Sequence, residues 1–595
     1  MDQLIADVLV VGGGTGGTSA AIQAARRGAK TIIVSEFPWL GGMLTSAGVS
    51  APDGNELTAF QTGLWGAFLQ ELQQRQIGGL NNSWVSFFSY DPRIAAAVFA
   101  HWVQQLPNLN WISGQVPLEV LKQENCIIGV RFADFTVTAK ITLDATELGD
   151  LLALASVPHR WGWELQSQWD EPSAPNTFNT FTEKYPVQAP TWVVVMQDFG
   201  ELAAPEIPAP PHDEPVFAGA WDNYGAEQFL NYGRLPGDLF MINWPQCGND
   251  YGEGVGRLIE SPLSRYQFLQ EARWHTQSFA RYIQTQLGRR YGLANHIFPS
   301  IKVERQEKFT GYSLGGGAYA MHPYYRESRR LVGITTVREQ DILPTAESRV
   351  APLPHDSAGF VSAIAIGNYA NDHHYPGIHF PLKSKALRWG GRWTGTPFTI
   401  PYSCLIPAEI DGLLVCEKNI SVSHIANGAT RLQPVVMGIG QAAGMAAALC
   451  VELNCQPRDL PVRDLQEALL QDKQANTAII PLFNLPPNHP EWLHWQRYYL
   501  DHPEAYPASG NCPCSQNSSP LPLTTRHFSG IFHRHNDQDY TFTVTEPPLQ
   551  GHWILVTLRS QVNEQLQICL DQQPLKVWGW LNHAGNWLLV EKIDS

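Results

Sequence analysis

Gly12, Gly14 and Gly17 fall at the spacing G-x-G-x-x-G within VVGGGTGGTSAAI, Val10 to Ile22. Bare backbone at those places permits a sharp turn, close approach of a pyrophosphate and close packing of a helix on a strand, which is the chemistry of dinucleotide binding. Thr15 lies in the same turn. Glu36 follows about 20 residues later, where a carboxylate accepts hydrogen bonds from ribose hydroxyls and would repel a 2′-phosphate. That leaves FAD and NAD as candidate cofactors. Five histidines, His322, His373, His374, His379 and His424, could take a proton near neutral pH. For each, the competing reading is a ring satisfied by local hydrogen bonds. Asp372-His373-His374 also has metal-binding residue types, but adjacent side chains in an extended loop point apart and no second ligand cluster accompanies them, so no metal is expected. Arg326, Arg329 and Arg330, with Glu327 among them, could clamp a substrate carboxylate or form an ion-paired cluster between domains. Trp161, Trp163, Tyr324 and Tyr375 could stack on a sugar or aromatic substrate, or be core.

The elements that must position the glycines are legible around them. LIADVLVVGGGTGGTSAAIQAARRGAKTIIVSE reads as strand (6–11), tight turn (12–17), helix (18–27) and second strand (31–35), a βαβ unit with the helix N-terminus facing the phosphates. A further strand is expected over 110–116 and another over 141–144. An apolar strand is expected at 191–199, an amphipathic helix at 262–289, and a glycine turn at Gly315-Gly316-Gly317.

PWLGGMLTSAG, Pro38 to Gly48, resembles the glycine-pair loop after the second strand in FAD-dependent oxidoreductases of the glutathione-reductase-like type. ITLDATELGDLLALA, Ile141 to Ala155, resembles that family's strand ending in Asp-Ala-Thr, with Glu147 where many relatives have Gly. LIPAEIDGLLVCEKNISVSHIANGATRLQPVVMGIGQAAGMAAAL, Leu405 to Leu449, resembles the C-terminal part of the same domain: a short strand (412–415), a loop and a helix from about Pro434, with Glu417-Lys418 where relatives often have Gly-Arg. MHPYYRESRRLVG and ANDHHYPGIHFPL are similar to segments of a bacterial subgroup, some of it labelled by analogy with polysaccharide lyases. The resemblance spans residues 1 to about 455 and implies FAD as cofactor, contacted by Gly12, Gly14, Thr15, Gly17, Glu36, Gly41, Gly42, Met43, Val116, Asp144, Gln433 and Gly438. It also implies that the last helix aims its positive end at the flavin N1–C2=O edge, where it would stabilise the anionic reduced ring. His424, in the loop before that helix, is then the first candidate for proton acceptor; His379 and His374, on the cap, come next, and Arg326 is the candidate clamp.

The expected fold class is α/β: a Rossmann-like FAD-binding domain in two pieces (1–160 and 395–455), interrupted by an α+β substrate cap (161–394) and followed by a helical and Pro-rich linker (456–518) and a small antiparallel β-rich unit (519–595). With 595 residues, 44% apolar and 16% charged, the chain has material for several buried cores. Its net charge of -15 carries no basic block, so nucleic acid is not an expected partner. PVVMGIGQAAGMAAALCVEL is long and uncharged, yet Gly/Ala-rich and solitary, and reads as a buried helix of a soluble domain. Nine scattered cysteines and the absence of a basic leader pattern lead to the expectation of reduced thiols, no signal peptide and a cytoplasmic protein. Homo-oligomerisation is open. The expected function is oxidoreduction: a hydride equivalent passes from an alcohol or amine carbon of a small molecule to flavin N5, and O2 or another acceptor reoxidises it. Flavin-dependent hydroxylation, redox-neutral elimination and a non-enzymatic flavin-binding scaffold are the alternatives.

Overall fold

A computed structural model of the chain describes residues 2–212, 217–300, 314–514, 525–546 and 550–594. β1 (Asp2–Val11), α1 (Thr15–Arg26) and β2 (Thr31–Ser35) form the βαβ unit. β3 (Leu109–Ser113), β4 (Glu119–Gln123), β5 (Cys126–Arg131) and β6 (Phe135–Asp144) complete a sheet in the order β3-β2-β1-β6-β5-β4. β3, β2, β1 and β6 are parallel, whereas β4 and β5 are antiparallel to their neighbours. β6 divides its length: Thr136 to Thr138 pair with β5, and Thr142 to Asp144 pair in parallel with a strand at Leu413–Val415. The carboxyl ends of β1, β2, β6 and Leu413–Val415 therefore lie along one sheet edge, and the order reverses across β1. A crevice outside that edge is where open α/β sheets hold ligands.

The helix Gln433–Leu453 lies against α1 at backbone distance. A Cβ on Gly440 would sit 2.1 Å from the Gly16 carbonyl oxygen, and one on Gly444 would sit 2.2 Å from that of Ala20. These two glycines serve a neighbouring backbone. Gly438 differs, because its added Cβ would meet only Ala365 Cβ at 3.4 Å. This helix is long and apolar enough to cross a membrane, and 89% of its most apolar window is buried in the molecule.

Several boundaries move. α1 begins at Thr15, three residues earlier than expected, because extended Gly14 caps it and Gly16-Gly17 join the helix. β3 stops before Val116, because Gly114 turns the chain at φ 81. The strand expected over 191–199 is Val194–Asp198, and the helix expected over 262–289 is Pro262–Leu287, opened by the Ser261 side chain and ended at Gly288. In the cap, Val194–Asp198 joins a four-stranded sheet with Tyr291–Leu293, Leu239–Ile242 and Arg234–Leu235. Its core includes Met43, Ala47, Val49, Ala51 and Val436, so the cap closes directly on the glycine-pair loop and the Gln433 helix. The later part of the expected cap belongs with the sheet domain instead: Leu331, Val337, Ile342 and Ala363 to Ile366 join the main core.

Residues 456–512 are likewise no linker. Leu465, Leu469, Ile479, Ile480, Phe483, Trp492 and Cys512 are buried in that same core, since prolines break the helices there without making the segment polar. The C-terminal unit is a closed five-stranded barrel from Arg526–Asn536 to Trp587–Asp594. It is not wholly antiparallel: Gly551–Val556 pairs in parallel with Trp587–Asp594, a crossover made possible by the intervening helix Ser560–Ile568 and the strand Pro574–Asn582.

Gly444→Ala should lower the free energy of unfolding by about 1–3 kcal/mol, since its methyl group has no room against α1. Gly438→Ala should leave stability unchanged or raise it, as alanine is the better helix former. Chemical denaturation of the two variants measures the difference.

Candidate functional site

The turn after β1 is held by its own polar groups. Gly12 takes φ +116, and a Cβ there would lie 2.0 Å from the Ala145 carbonyl oxygen, so only glycine fits. Gly17 packs back on the Gly12 oxygen in the same way. Thr15 Oγ1 donates to the Gly41 oxygen at 2.8 Å, and Gly41 N–H donates to Thr18 Oγ1 at 2.9 Å. The glycine turn and the Gly41–Gly42–Met43 loop are thereby joined, with Met43 buried. Glu36, at the end of β2, is solvent-exposed, yet burial pushes its carboxyl up to about 7, with Arg265 opposing the rise. Val116 is partly buried beside Glu36, as Gln115 N–H bonds the Ser35 oxygen at 3.2 Å.

Opposite the turn stands an ion triad. Lys418 Nζ lies 2.7 Å from Glu147 Oε2 and 3.1 Å from Glu417 Oε2, and Glu417 Oε1 accepts from Gly16 N–H at 2.6 Å. Glu417 thus occupies one of the free N–H groups at the positive end of α1. Burial would raise Glu147, but Lys418 and His322 outweigh it and hold that carboxyl low; for Glu417 burial wins and the carboxyl is raised. His322 Nε2 lies 3.0 Å from Ser46 Oγ, and its ring stacks on Phe37. Asp144, expected to touch the cofactor, is fully buried and spends both carboxylate oxygens on Thr146 and Leu152. It shapes the turn after β6.

A second polar chain runs toward the start of the Gln433 helix. Buried Arg326 binds Asp250 (3.1 Å), the Ala189 oxygen (2.6 Å) and Thr191 Oγ1 (2.8 Å). Asp250 Oδ2 lies 2.8 Å from His374 Nδ1, and His374 Nε2 lies 2.8 Å from Asp372 Oδ2. Arg431, two residues before Gln433, reaches Asp372 at 3.2 Å and Tyr324 OH at 2.5 Å. The Asp372 side chain is 40% exposed and forms the open end of the chain. Burial alone would raise its carboxyl, but His374 and Arg431 pull it well below the usual carboxylate range. Asp53 belongs to the same place: a Cβ on neighbouring Gly54 would lie 3.7 Å from both Leu432 Cβ and Tyr369 Cβ. Burial, then repulsion from Glu56 and Asp372, holds the Asp53 carboxyl well above its ordinary value.

The remaining expected residues lie elsewhere. His424 is completely buried, with Nε2 2.7 Å from Tyr375 OH and Nδ1 2.8 Å from Glu327 Oε1, and burial drives it well below its ordinary value. Neither ring nitrogen is open to a substrate. His373 is similarly spent on Tyr375 OH and the Ile425 oxygen. His379 is exposed on its loop. Arg330 is buried between Glu164 (2.7 Å) and Glu327 (3.1 Å), and Arg329 holds Asp150 at 2.9 Å. The arginine group is therefore an internal ion-pair network. Trp163, Tyr324 and Tyr375 are buried and Trp161 is partly so. Asp53, Asp250 and Arg431 were missed by sequence reasoning. Asp53-Gly54 reads as an ordinary turn dipeptide, although it follows the glycine-pair loop closely, and Arg431 was passed over for the helix behind it.

Residues 7–469 match the family described as FAD dependent oxidoreductase. The chain belongs to that family. As an FAD-dependent oxidoreductase it carries the family's match over the sheet and cap, and the barrel lies beyond it. No curated protein matches the chain. Among solved structures it is similar to GidA from Aquifex aeolicus, at 21% identity over 23% of this chain and 24% of that one, with a TM-score of 0.17. L-proline dehydrogenase from P. horikoshii is 16% identical over 28% of this chain and 25% of that one, with a TM-score of 0.16. A geranylgeranyl bacteriochlorophyll reductase-like protein from Thermoplasma acidophilum is 11% identical over 79% and 84%, with a TM-score of 0.32. The chain spans about a quarter of the length of the first two.

The oxidoreductase's own residues fit FAD. A Cβ on Gly14 would collide with Glu417 Oε1 at 2.3 Å, and one on Gly42 with Gly14 Cα at 2.6 Å, so only glycines let the turn, the glycine-pair loop and Glu417 pack together. Gln433 Oε1, buried at the helix start, has no hydrogen-bond partner among the described residues. The α1 N-terminus would face the pyrophosphate, Glu36 the ribose, and Gln433 and Gly438 the flavin ring, while buried Lys418 neutralises Glu147 and Glu417 behind the turn.

Lys418→Met should destabilise the protein by about 3–5 kcal/mol, because two buried carboxylates lose their shared cation. Thermal unfolding measures this, and flavin release measured alongside should accelerate.

Proposed function

We propose that the protein removes a hydride equivalent from an alcohol or amine carbon of a small molecule, with Asp53 as the proton acceptor. The observation carrying this reading is that Asp372, bound by His374 and Arg431, and Asp53, with no partner among the described residues, both lie near the N-terminal end of the Gln433 helix, in environments that push their protonation apart. Two carboxyl groups so divided are suited to opposite roles in one reaction. Bound FAD supplies the two-electron acceptor.

Asp372, fixed as the anion by His374 and Arg431, orients the substrate O–H or N–H by accepting a hydrogen bond from it. Asp53 in its ionised form then takes the proton as the hydride leaves the adjacent carbon. His374 and Arg326 act behind the site: Arg326 and Thr191 hold Asp250, Asp250 holds His374, and His374 sets the direction of Asp372. The cap packs against Met43 and Val436, and a substrate seated beneath it would displace water and strengthen each of these contacts. His424, sealed inside, has the role of a core strut. Reoxidation by O2 or another acceptor completes the cycle.

Anaerobic mixing with panels of amines and alcohols should bleach the visible flavin bands with at least one member. Turnover without bleaching would instead support a redox-neutral elimination that uses the same two carboxyl groups. Because Asp53 works only when ionised and its pKa is raised, kcat/KM should rise with pH through that raised value. Asp53→Asn should remove the acid limb and lower kcat by roughly 10²–10⁴-fold.

A further inference from the structure

Four carboxylates gather near the start of the Gln433 helix, Glu56 and Asp250 buried and Asp53 and Asp372 within reach of solvent, and three have an arginine of their own. Glu56 has Arg392 at 2.6 Å, Asp250 has Arg326 at 3.1 Å, and Asp372 has Arg431 at 3.2 Å. Asp53 has none: among the described residues it makes neither an ion pair nor a hydrogen bond. It is nonetheless only partly buried and is reached by the fields of Glu56, Asp372, Arg392 and Arg431. Two aromatic side chains share the place. Tyr232 and Tyr369 are partly buried, and after burial itself Asp53 and Asp372 are the groups that most hold their hydroxyls protonated. Lys385 Nζ fixes Tyr369 by donating to its carbonyl oxygen.

We infer that this pocket selects a substrate carrying an alkylammonium group, which supplies the cation that Asp53 lacks. The inference rests on the proposed function for its site and narrows the substrate there from alcohols and amines to amines. A buried carboxylate is costly unless it is paired, and a compact ammonium beside a carboxylate and aromatic faces meets both needs. Arginines at the other three carboxylates leave no cation free for a substrate carboxylate among these groups, so an acidic substrate finds only repulsion from Asp53. Arrival of the ammonium also favours the ionised form of Asp53, so binding releases a proton to solvent and leaves Asp53 able to accept another. An amine must lose one ammonium proton before its carbon can give up hydride, and Asp53 is the group placed to receive it.

The test uses the FAD-loaded protein and two probes of similar size that cannot be oxidised at the site: tetramethylammonium and neutral tert-butanol. Binding is read from perturbation of the visible flavin spectrum, and proton release from an indicator dye in weak buffer. Tetramethylammonium should bind at least roughly tenfold more tightly than tert-butanol, the scale of ion-pair and cation–π contact, and should release protons on binding. Asp53→Asn should lose both the preference and the proton release while retaining FAD. Equal binding of the two probes by the unmodified protein would overturn the inference whether or not the variant folds. Bleaching of the flavin by an alcohol without any response to tetramethylammonium would overturn it too, yet leave the hydride-transfer reading standing. Tight, proton-releasing binding of tetramethylammonium with no amine able to bleach the flavin would support the ammonium pocket and overturn the proposed reaction.

Discussion

The backbone contact between α1 and the Gln433–Leu453 helix is the constraint on which the site depends. Gly16 and Ala20 from one end of the domain meet Gly440 and Gly444 from the other, and side chains at either glycine would force the helices apart. With the helices touching, the N-terminal end of each opens toward the crevice at the carboxyl ends of β1 and β6. One is suited to phosphate oxygens and the other to a ring that gains negative charge. Everything inserted between residues 160 and 395 has to leave that contact intact, which is why the cap shares its core with the Met43–Ala51 loop and Val436 rather than separating them.

The same edge collects an unusual density of carboxylates, and the interior is arranged to answer each of them. Lys418 stands between Glu147 and Glu417, Arg330 between Glu164 and Glu327, and Arg326 beside Asp250. Buried pairs of this kind gain little net stability, because desolvation cancels most of the attraction, but removal of one partner is severe. They act as registration: Lys418 ties the turn after β6 to the 417–431 stretch through Glu147, while Arg326–Asp250 and Arg330–Glu164 join segments far apart in sequence within the 161–394 insertion. The arginine cluster that could have clamped a substrate is consumed by this work, so the group left open, Asp53, stands out by contrast.

The βαβ unit was legible in the sequence because its determinants are local: an apolar strand, glycines at fixed spacing and an acidic residue at the next strand end. Distance along the chain did not hide the second half either, since Leu405 to Leu449 resembles the C-terminal part of the same domain. The polar chain Arg326–Asp250–His374–Asp372–Arg431 was not legible, because its members come from separate segments whose meeting is decided by cap packing. His424 shows the opposite error. Its nearness in sequence to the helix suggested nearness to the ring, but Ser423 caps a separate short helix, His424–Thr430, and Glu164 takes the His424 N–H. The imidazole is thereby turned inward onto Trp163 and Glu327. For the segment expected as a linker over 456–518, proline content was the signal, whereas in its described part leucines and aromatics placed between the prolines carry residues 456–512 into the core; residues 515–518 lie outside the described residues.

The C-terminal barrel extends this logic to the rim of the pocket. Arg392, the partner of Glu56, sits on a hairpin formed by Ala386–Trp389 and Arg392–Gly395. The turn of that hairpin, Gly390-Gly391, is gripped from the barrel side: Thr557 N–H donates to the Gly390 oxygen at 2.8 Å, and the Gly390 and Gly391 N–H groups reach Asn563 Oδ1 and Gln538 Oε1. The barrel also bonds two segments that follow Glu56, through Leu558 to Thr58 and through Asn582 to Ser83. Arg392 lies over Phe87, which packs on Trp587 of the barrel. A hairpin held only by its own four residue pairs would be marginal in water. Clamped by the barrel, it keeps Arg392 on Glu56, and Glu56 so neutralised adds less to the repulsion that Asp53 feels. The last strands of the chain thus bear on the electrostatics of a residue near its beginning.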